Sequence, residues 1–365
     1  PSLRIGAGNR NFVARPGVFI QPRQPMKPII QYVVLLLLLL SCSRVVAAKN
    51  DFRLSNGRLS VAVGRDHGDL VELTDTHSGQ HFTAPIPSDA GCWELTLVPS
   101  NKVLAPTNAE SFHCERLDGK QAGWRLTWDG FGVAAAPKLR VEVWVRLEPK
   151  QPMSRWELAV TGLGELGIGQ VRYPRVMNIT QQNNERLAVP MWMGQQTAEP
   201  RKVCAGKNGR GRRLQWDYPG TLSMQCLAFY RQDGPGLYLA CDDTAAFNKT
   251  FALFGDAEGR LGCEIVHLPE QLPSAGGAWR LPYAVQLGTF EGDWFTAAER
   301  YRAWATNQVW AKESRLARGQ VPDWTLHTAL WVWNRGRSPV VLEPAVALRE
   351  KLGLPVSVFW HWWHG

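Results

Sequence analysis

Arg140-Val141-Glu142-Val143-Trp144-Val145-Arg146-Leu147 alternates apolar residues at the odd positions with mostly charged ones at the even positions. Successive side chains of a strand point to opposite faces, so this octapeptide reads as a half-buried β-strand with its valines toward a core. Similar short segments lie on both sides of it, at 59–63, 93–98, 124–128, 155–160, 226–230, 236–241 and 284–287, separated by Gly, Pro, Asn and Asp. From Asp51 to about Leu287 the pattern therefore specifies a mainly β domain, a large antiparallel β-supersandwich over 49–290. No internal repeat interrupts it.

The period changes at Glu291. Asp293 suits a helix N-cap, and Trp294, Ala298, Tyr301, Ala305 and Gln308 recur at three- and four-residue spacing, which predicts a helix to about Trp310. The polar, basic stretch after it ends at Pro322, so 291–322 reads as a helical linker. A strand is expected at 327–333, a helix opened by Pro344 and closed by Gly353, and a second strand at 355–360. This is a βαβ unit. Two parallel strands cannot bury their own faces, so 323–365 is expected to be the first βαβ unit of a truncated (β/α)8 TIM barrel.

Ahead of the sandwich, Met26 and Lys27 precede an unbroken apolar run from Val33 to Leu40 and then Val46-Ala47-Ala48. The run is far shorter than the ~20 residues of a membrane-spanning helix and has the positive flank and small-residue end of a signal peptide, 26–48. Cleavage after Ala48 is the first reading, and acylation at Cys42, a lipid anchor, is the second; the protein is expected to be secreted, periplasmic or at the cell surface. Residues 1–25 read as an upstream extension outside the fold. Six basic residues and no acidic ones lie in 1–48; without them 35 basic face 32 acidic residues, so a formal charge of +9 becomes +3. That balance lacks the electrostatic footprint of a nucleic-acid-binding domain. Six cysteines follow the leader, Cys92, Cys114, Cys204, Cys226, Cys241 and Cys263. An exported protein can pair them, but even parity does not establish that. None is spaced Cys-x-x-Cys, and neither a metal nor a cofactor is implied.

Tryptophan carries the chemical signal. All 17 lie after Asp89, and Trp331, Trp333, Trp360, Trp362 and Trp363 crowd the C-terminal end. Sugar C–H faces stack on aromatic rings while nearby polar groups bond the hydroxyls. In a (β/α) barrel the strand ends form the mouth of the site, which is where Trp333, Asn334, His361, Trp362 and His364 are expected to contact a carbohydrate. Trp331 and Trp360 are better read as filling the barrel interior or packing on helices. His361 and His364 have a spacing that can hold a metal, but on an extended strand they face opposite ways and no third ligand is in view.

Within the sandwich, Trp216 and Asp217 of Trp216-Asp217-Tyr218-Pro219-Gly220 join a stacking ring and a carboxylate at a turn, and are candidate substrate contacts; a turn with Trp216 in the core is the equal alternative. Asp242 and Asp243 are neighbours on a strand and cannot work as an acid/base pair. They read as strand-end turn residues, with Asp243 or Lys249 a candidate for the domain interface. The basic, glycine-rich segment from Gly206 to Arg213 lacks the ending of a phosphate-binding loop and reads as a solvated hairpin tip. Glu264 and His267, the pair a sugar epimerase of the mutarotase type would need, are placed on opposite sides of a strand.

The order of parts resembles a glycoside hydrolase group with a galactose-mutarotase-like β-supersandwich, a helical linker and a (β/α) barrel. It looks most like uncharacterised bacterial glycosidase-like proteins related to the endo-α-N-acetylgalactosaminidase, α-galactosidase and α-amylase lineages. The likeness is carried by 216–220, Leu237-Tyr238-Leu239-Ala240 with Asp242 and Asp243, Tyr301-Arg302-Ala303-Trp304, Val321-Pro322-Asp323-Trp324 and His361-Trp362-Trp363-His364. The resemblance implies a glycoside hydrolase acting on a poly- or oligosaccharide, with catalytic carboxylates at the ends of the fourth and sixth barrel strands. This sequence stops after the second, so no catalytic residue is carried over, and a non-catalytic carbohydrate-binding module is the alternative.

Overall fold

The computed structural model describes residues 51–84, 91–117, 122–206, 209–232, 234–270 and 277–361. The segment 26–48 read as a signal peptide, Cys42 within it, and residues 1–25 lie outside them. Strands β1 (Phe52–Ser55), β2 (Leu59–Val63), β3 (Leu70–Asp75) and β4 (Gln80–His81) form a four-stranded antiparallel sheet. There follow β5 (Glu94–Val98), β6 (Val103–Leu104), β7 (Ser111–Arg116), β8 (Gly123–Asp129), β9 (Arg140–Leu147), β10 (Met153–Thr161), β11 (Gly167–Ile179), β12 (Glu185–Val189) and β13 (Gln195–Ala198). After a short helix, α1 (Pro200–Ala205), come β14 (Arg213–Tyr218), β15 (Cys226–Arg231), β16 (Pro235–Cys241), β17 (Lys249–Gly255), β18 (Leu261–His267), β19 (Trp279–Arg280) and β20 (Val285–Glu291).

These build a ten-stranded sheet, ordered β13-β12-β15-β16-β20-β10-β9-β8-β7 with β19 also on β10, and a six-stranded sheet ordered β14-β17-β18-β11-β5-β6. Every pairing in both is antiparallel. The mainly β, sandwich-type fold is as the alternation predicts. Strand β9 buries Val141, Val143, Val145 and Leu147 in turn. β20 is inserted between β16 and β10, which are distant from it in sequence.

One continuous core contains the inward faces of the sheets, and its largest members include Trp93, Trp128, Trp156 and Tyr173. Trp93 meets Trp128 edge-on at 5.6 Å, the geometry aromatic quadrupoles favour. Most buried indole N–H groups find an acceptor, although Trp93 Nε1 has none among the described residues. Trp128 Nε1 donates to the His67 carbonyl at 2.9 Å, and Trp156 Nε1 donates to Ser154 Oγ at 2.8 Å.

A second apolar cluster lies on the outer face of the ten-stranded sheet, where Tyr230, Tyr238 and Phe290 are covered by Ala297 and Tyr301 of helix α2 (Trp294–Ala305). Central strands β15 and β16 are thus buried on both faces and read as continuous apolar runs. Asp293 caps α2, its carboxylate accepting from Phe295 N at 2.9 Å. The helix ends at Ala305, short of the expected Trp310. Thr306, Asn307 and Gln308 return their side chains to the carbonyls of Arg302, Ala303 and Trp304 at 2.8 to 2.9 Å, and such local bonds compete with helix continuation. Two short helices follow, α3 (Val309–Lys312) and α4 (Asp323–His327).

The last elements are β21 (Leu330–Arg335), α5 (Ser338–Leu352) and β22 (Val356–His361), with β21 and β22 parallel. Helix α5 starts six residues before Pro344, which lies inside it, and Pro339 takes the opening turn instead. Gly353, at φ 64°, closes it with its N–H on the Arg349 carbonyl, a left-handed cap that glycine adopts without strain.

Candidate functional site

In the parallel register Trp333 lies beside Phe359, Asn334 beside Trp360 and Arg335 beside His361. Alternation then sorts the side chains. Asn334 and Trp360 sit on the helix side: Asn334 Nδ2 donates to the Val340 carbonyl at 3.2 Å, and Trp360 Nε1 donates to the Gly336 carbonyl at 2.9 Å. Trp331, Trp333, Phe359 and His361 share the opposite face. There Trp333 is 70% exposed and Phe359 59%. Trp333 meets His361 edge-on at 5.6 Å and Phe359 at 6.4 Å, and Trp324 leans on Trp331 at 6.2 Å. The C-terminal ends of both strands therefore present a ring face beside an imidazole, groups able to stack on a sugar and bond a hydroxyl. Trp362 and His364 lie outside the described residues.

The Asn334 bond has a local cause. Pro344 has no N–H, so the Val340 carbonyl lacks the donor that an unbroken helix supplies four residues on. The Asn334 amide takes that place. Its Oδ1 accepts from Arg335 N at 2.8 Å, which fixes the amide with its donor toward the helix.

Trp216 and Asp217 belong to β14, an edge of the six-stranded sheet. Trp216 is buried in the core. Asp217 is exposed, and its Oδ1 accepts from Thr250 Oγ1 at 2.7 Å while its carbonyl accepts from Thr221 N and Leu222 N. The pair thus divides between packing and turn formation, with only the carboxylate reaching solvent. The glycine-rich segment differs from the expected hairpin tip: its described part closes α1, with Gly211 N and Arg212 N on the carbonyls of Ala205 and Cys204.

Asp243 and Lys249 are fully enclosed within the sandwich, which corrects their placement at an interface. Lys249 Nζ lies 2.6 Å from Asp243 Oδ2, donates to Gln225 Oε1 at 3.0 Å and to the Phe247 carbonyl at 2.6 Å, and faces the rings of Tyr218 and Tyr283. Asp243 also accepts from the backbone of Ala245 and Phe247. A buried ion pair persists when its remaining donors and acceptors are met in this way.

Next to it, His267 Nε2 donates to the Tyr173 carbonyl at 2.6 Å, which leaves Nδ1 to accept from Tyr283 OH at 2.8 Å. Burial, with the Lys249 charge adding to it, pushes this imidazole down to about 3, so it is neutral. Glu264 faces the other way, held by Arg175 at 3.0 Å and Arg213 at 2.7 Å. The two have no shared space in which to act as acid and base.

All six cysteines within 51–361 are free, five of them buried. Burial raises their thiols, Cys204 to about 11 and Cys226 and Cys263 to about 12. Among the described residues no three His, Cys, Asp or Glu side chains are grouped to hold a metal, and no helix is long and apolar enough to cross a membrane.

Residues 279–365 match a family described as a domain of unknown function (DUF6259). No curated protein matches the chain. Among solved structures, the alpha-N-acetylgalactosaminidase NagBb from Bifidobacterium bifidum, in its GalNAc complex, aligns with a TM-score of 0.56 at 14% identity, over 83% of this chain and 50% of that one. Its ligand-free form aligns with a TM-score of 0.52 at 12% identity, over 85% and 51%. The GH36 alpha-galactosidase AgaB from Geobacillus stearothermophilus has a TM-score of 0.49 at 7% identity, over 86% and 49%. The chain spans about half the length of the solved structures it matches, and at such identity the likeness to NagBb is one of fold: this chain has a glycoside-hydrolase-like fold.

Proposed function

We propose that the chain is the N-terminal portion of an exported glycoside hydrolase acting on a poly- or oligosaccharide, carried out of the cytoplasm by the leader at 26–48. The observation that carries the reading is the parallel β21–α5–β22 unit behind the sandwich and α2, with Trp333 and His361 at its strand ends. In a (β/α) barrel the helices lie outside, so the face opposite α5 is the interior and the C-terminal strand ends are the mouth of the site. Trp331, Trp333 and Phe359 stand open on that face, whereas parallel strands are stable with both faces covered. Further strands after β22 would close it and bring the two carboxylates that glycosidic cleavage requires. In this reading Trp333 stacks on a sugar ring and His361 bonds a hydroxyl, joined by Trp362 and His364.

The test is to express a gene product that continues past Gly365 beside this chain and assay both on α- and β-linked glycans, α-N-acetylgalactosaminides and α-galactosides first, as the substrates in the neighbours' names. Hydrolysis by the longer product alone supports the reading. If neither cleaves and the short chain still binds sugar, a non-catalytic carbohydrate-binding module replaces it.

A further inference from the structure

Between α2 and the outer face of the ten-stranded sheet lies a cavity of about 250 Å³, lined by Tyr238, Asp242, Gln286, Arg300, Tyr301 and Trp304 among others. Its polar groups are incompletely used. Asp242 Oδ2 accepts from Gln286 Nε2 at 2.6 Å and faces Arg155 Nη1 at 3.4 Å, but Oδ1 accepts no hydrogen bond among the described residues. Gln286 Oε1 is buried without a partner among them, and Arg300 makes no ion pair among them although burial lowers its pKa. Buried polar atoms in native structures are almost always bonded, so a donor is called for at Gln286 Oε1, and the half-buried Asp242 and Arg300 beside it can accept and donate to the same group.

We propose that this cavity is a saccharide-binding site in the sandwich, taking one pyranose ring stacked on Trp304 with its hydroxyls on Asp242, Gln286 and Arg300. The lining carries both signs, the carboxylates of Glu148 and Asp242 against the Arg300 guanidinium, so an anion meets the carboxylates, a simple cation meets Arg300, and a neutral polar ligand meets neither penalty. A vicinal diol donates to the carboxylate and the amide oxygen and accepts from the guanidinium, satisfying all three. The indole of Trp304, 5.4 Å from the Tyr301 ring, supplies the apolar platform that a C–H face needs. The volume lies below the roughly 300 Å³ at which sites for drug-sized ligands begin, which fits a single ring. The choice of ligand class rests on the carbohydrate reading above.

The experiment is calorimetric titration of the 365-residue chain with the methyl α- and β-glycosides of glucose, galactose and N-acetylgalactosamine. At least one should bind, and Trp304→Leu and Arg300→Met should each weaken it about tenfold, the effect of losing one good contact, with the thermal midpoint unchanged. Asp242→Asn keeps the size of the side chain and replaces either variant that fails to fold. Binding that these substitutions leave unchanged overturns the site while sparing the hydrolase reading, and so does the absence of binding by any of the six glycosides. The hydrolase reading fails separately, on the longer gene product's inability to cleave.

Discussion

Asn334 Nδ2 reaches the Val340 carbonyl at 3.2 Å, the carbonyl that Pro344 deprives of its helical donor. A side chain on a strand thereby repairs a defect in the helix that crosses over it, and the two residues should be energetically coupled. Asn334→Ala should lower the stability of the β21–α5–β22 unit by about 1 kcal/mol. In the Pro344→Ala background the same change should cost much less, because the backbone N–H restores the bond. Hydrogen exchange of the α5 amides across this double-mutant cycle checks it, and equal losses in both backgrounds would refute the coupling.

Removing one partner of the enclosed Lys249–Asp243 pair leaves the other charge buried. Lys249→Met should cost roughly 3–5 kcal/mol of unfolding free energy, and adding Asp243→Asn should return part of it. Urea unfolding of the two variants measures the difference; a Lys249→Met protein as stable as the parent would contradict the sealed pair.

His267 titrates in the unfolded chain near its ordinary value of 6.5 and in the folded protein only near 3. Between these values the unfolded state binds the extra proton. The stabilisation from keeping this ring neutral is therefore complete above about pH 6.5 and is lost as pH falls toward 3, with a slope approaching 1.4 kcal/mol per unit, roughly, for one proton. NMR should find the His267 ring resonances unmoved from pH 8 to pH 4 while the protein remains folded. Titration in that window would overturn the assignment.

The buried thiols should resist alkylation. Mass-spectrometric mapping after iodoacetamide treatment of native protein should find Cys92, Cys204, Cys226, Cys241 and Cys263 unmodified, with partly exposed Cys114 the first of the six to react. All six should label in denaturant without reductant. Failure of a pair to label until reductant is added would reveal a disulfide.

Local periodicity located the strands well. The segment at 59–63 is β2 as it stands, and 226–230 misses β15 by one residue. What periodicity does not encode is which strands pair, and so the place of β20 was not readable. The early end of α2 and the interior position of Pro344 both turn on side chains bonding backbone carbonyls, a competition invisible to hydropathy. Asp243 reads as a strand-end turn residue and Asp243 or Lys249 as a candidate for the domain interface, whereas their mutual satisfaction lets both be buried. At the candidate site, the neighbouring Trp333 and His361 follow from strand alternation plus parallel register. The cavity beside Trp304 arises where a helix docks on a sheet, and nothing local in the sequence marks it.

The central position of β20 also sets a timetable for biosynthesis. Its neighbours β10 and β16 are complete by Thr161 and Cys241, yet neither gains its partner on that side until Val285–Glu291 has been made. The Thr289 hydroxyl then joins Asp75 at 2.7 Å, bridging 214 residues of chain. Two half-sheets with open edges must wait for one late strand, and closing so long a loop is slow. While they wait, β16 and β10 each keep one edge without its partner, and that exposure ends only when residue 291 has emerged.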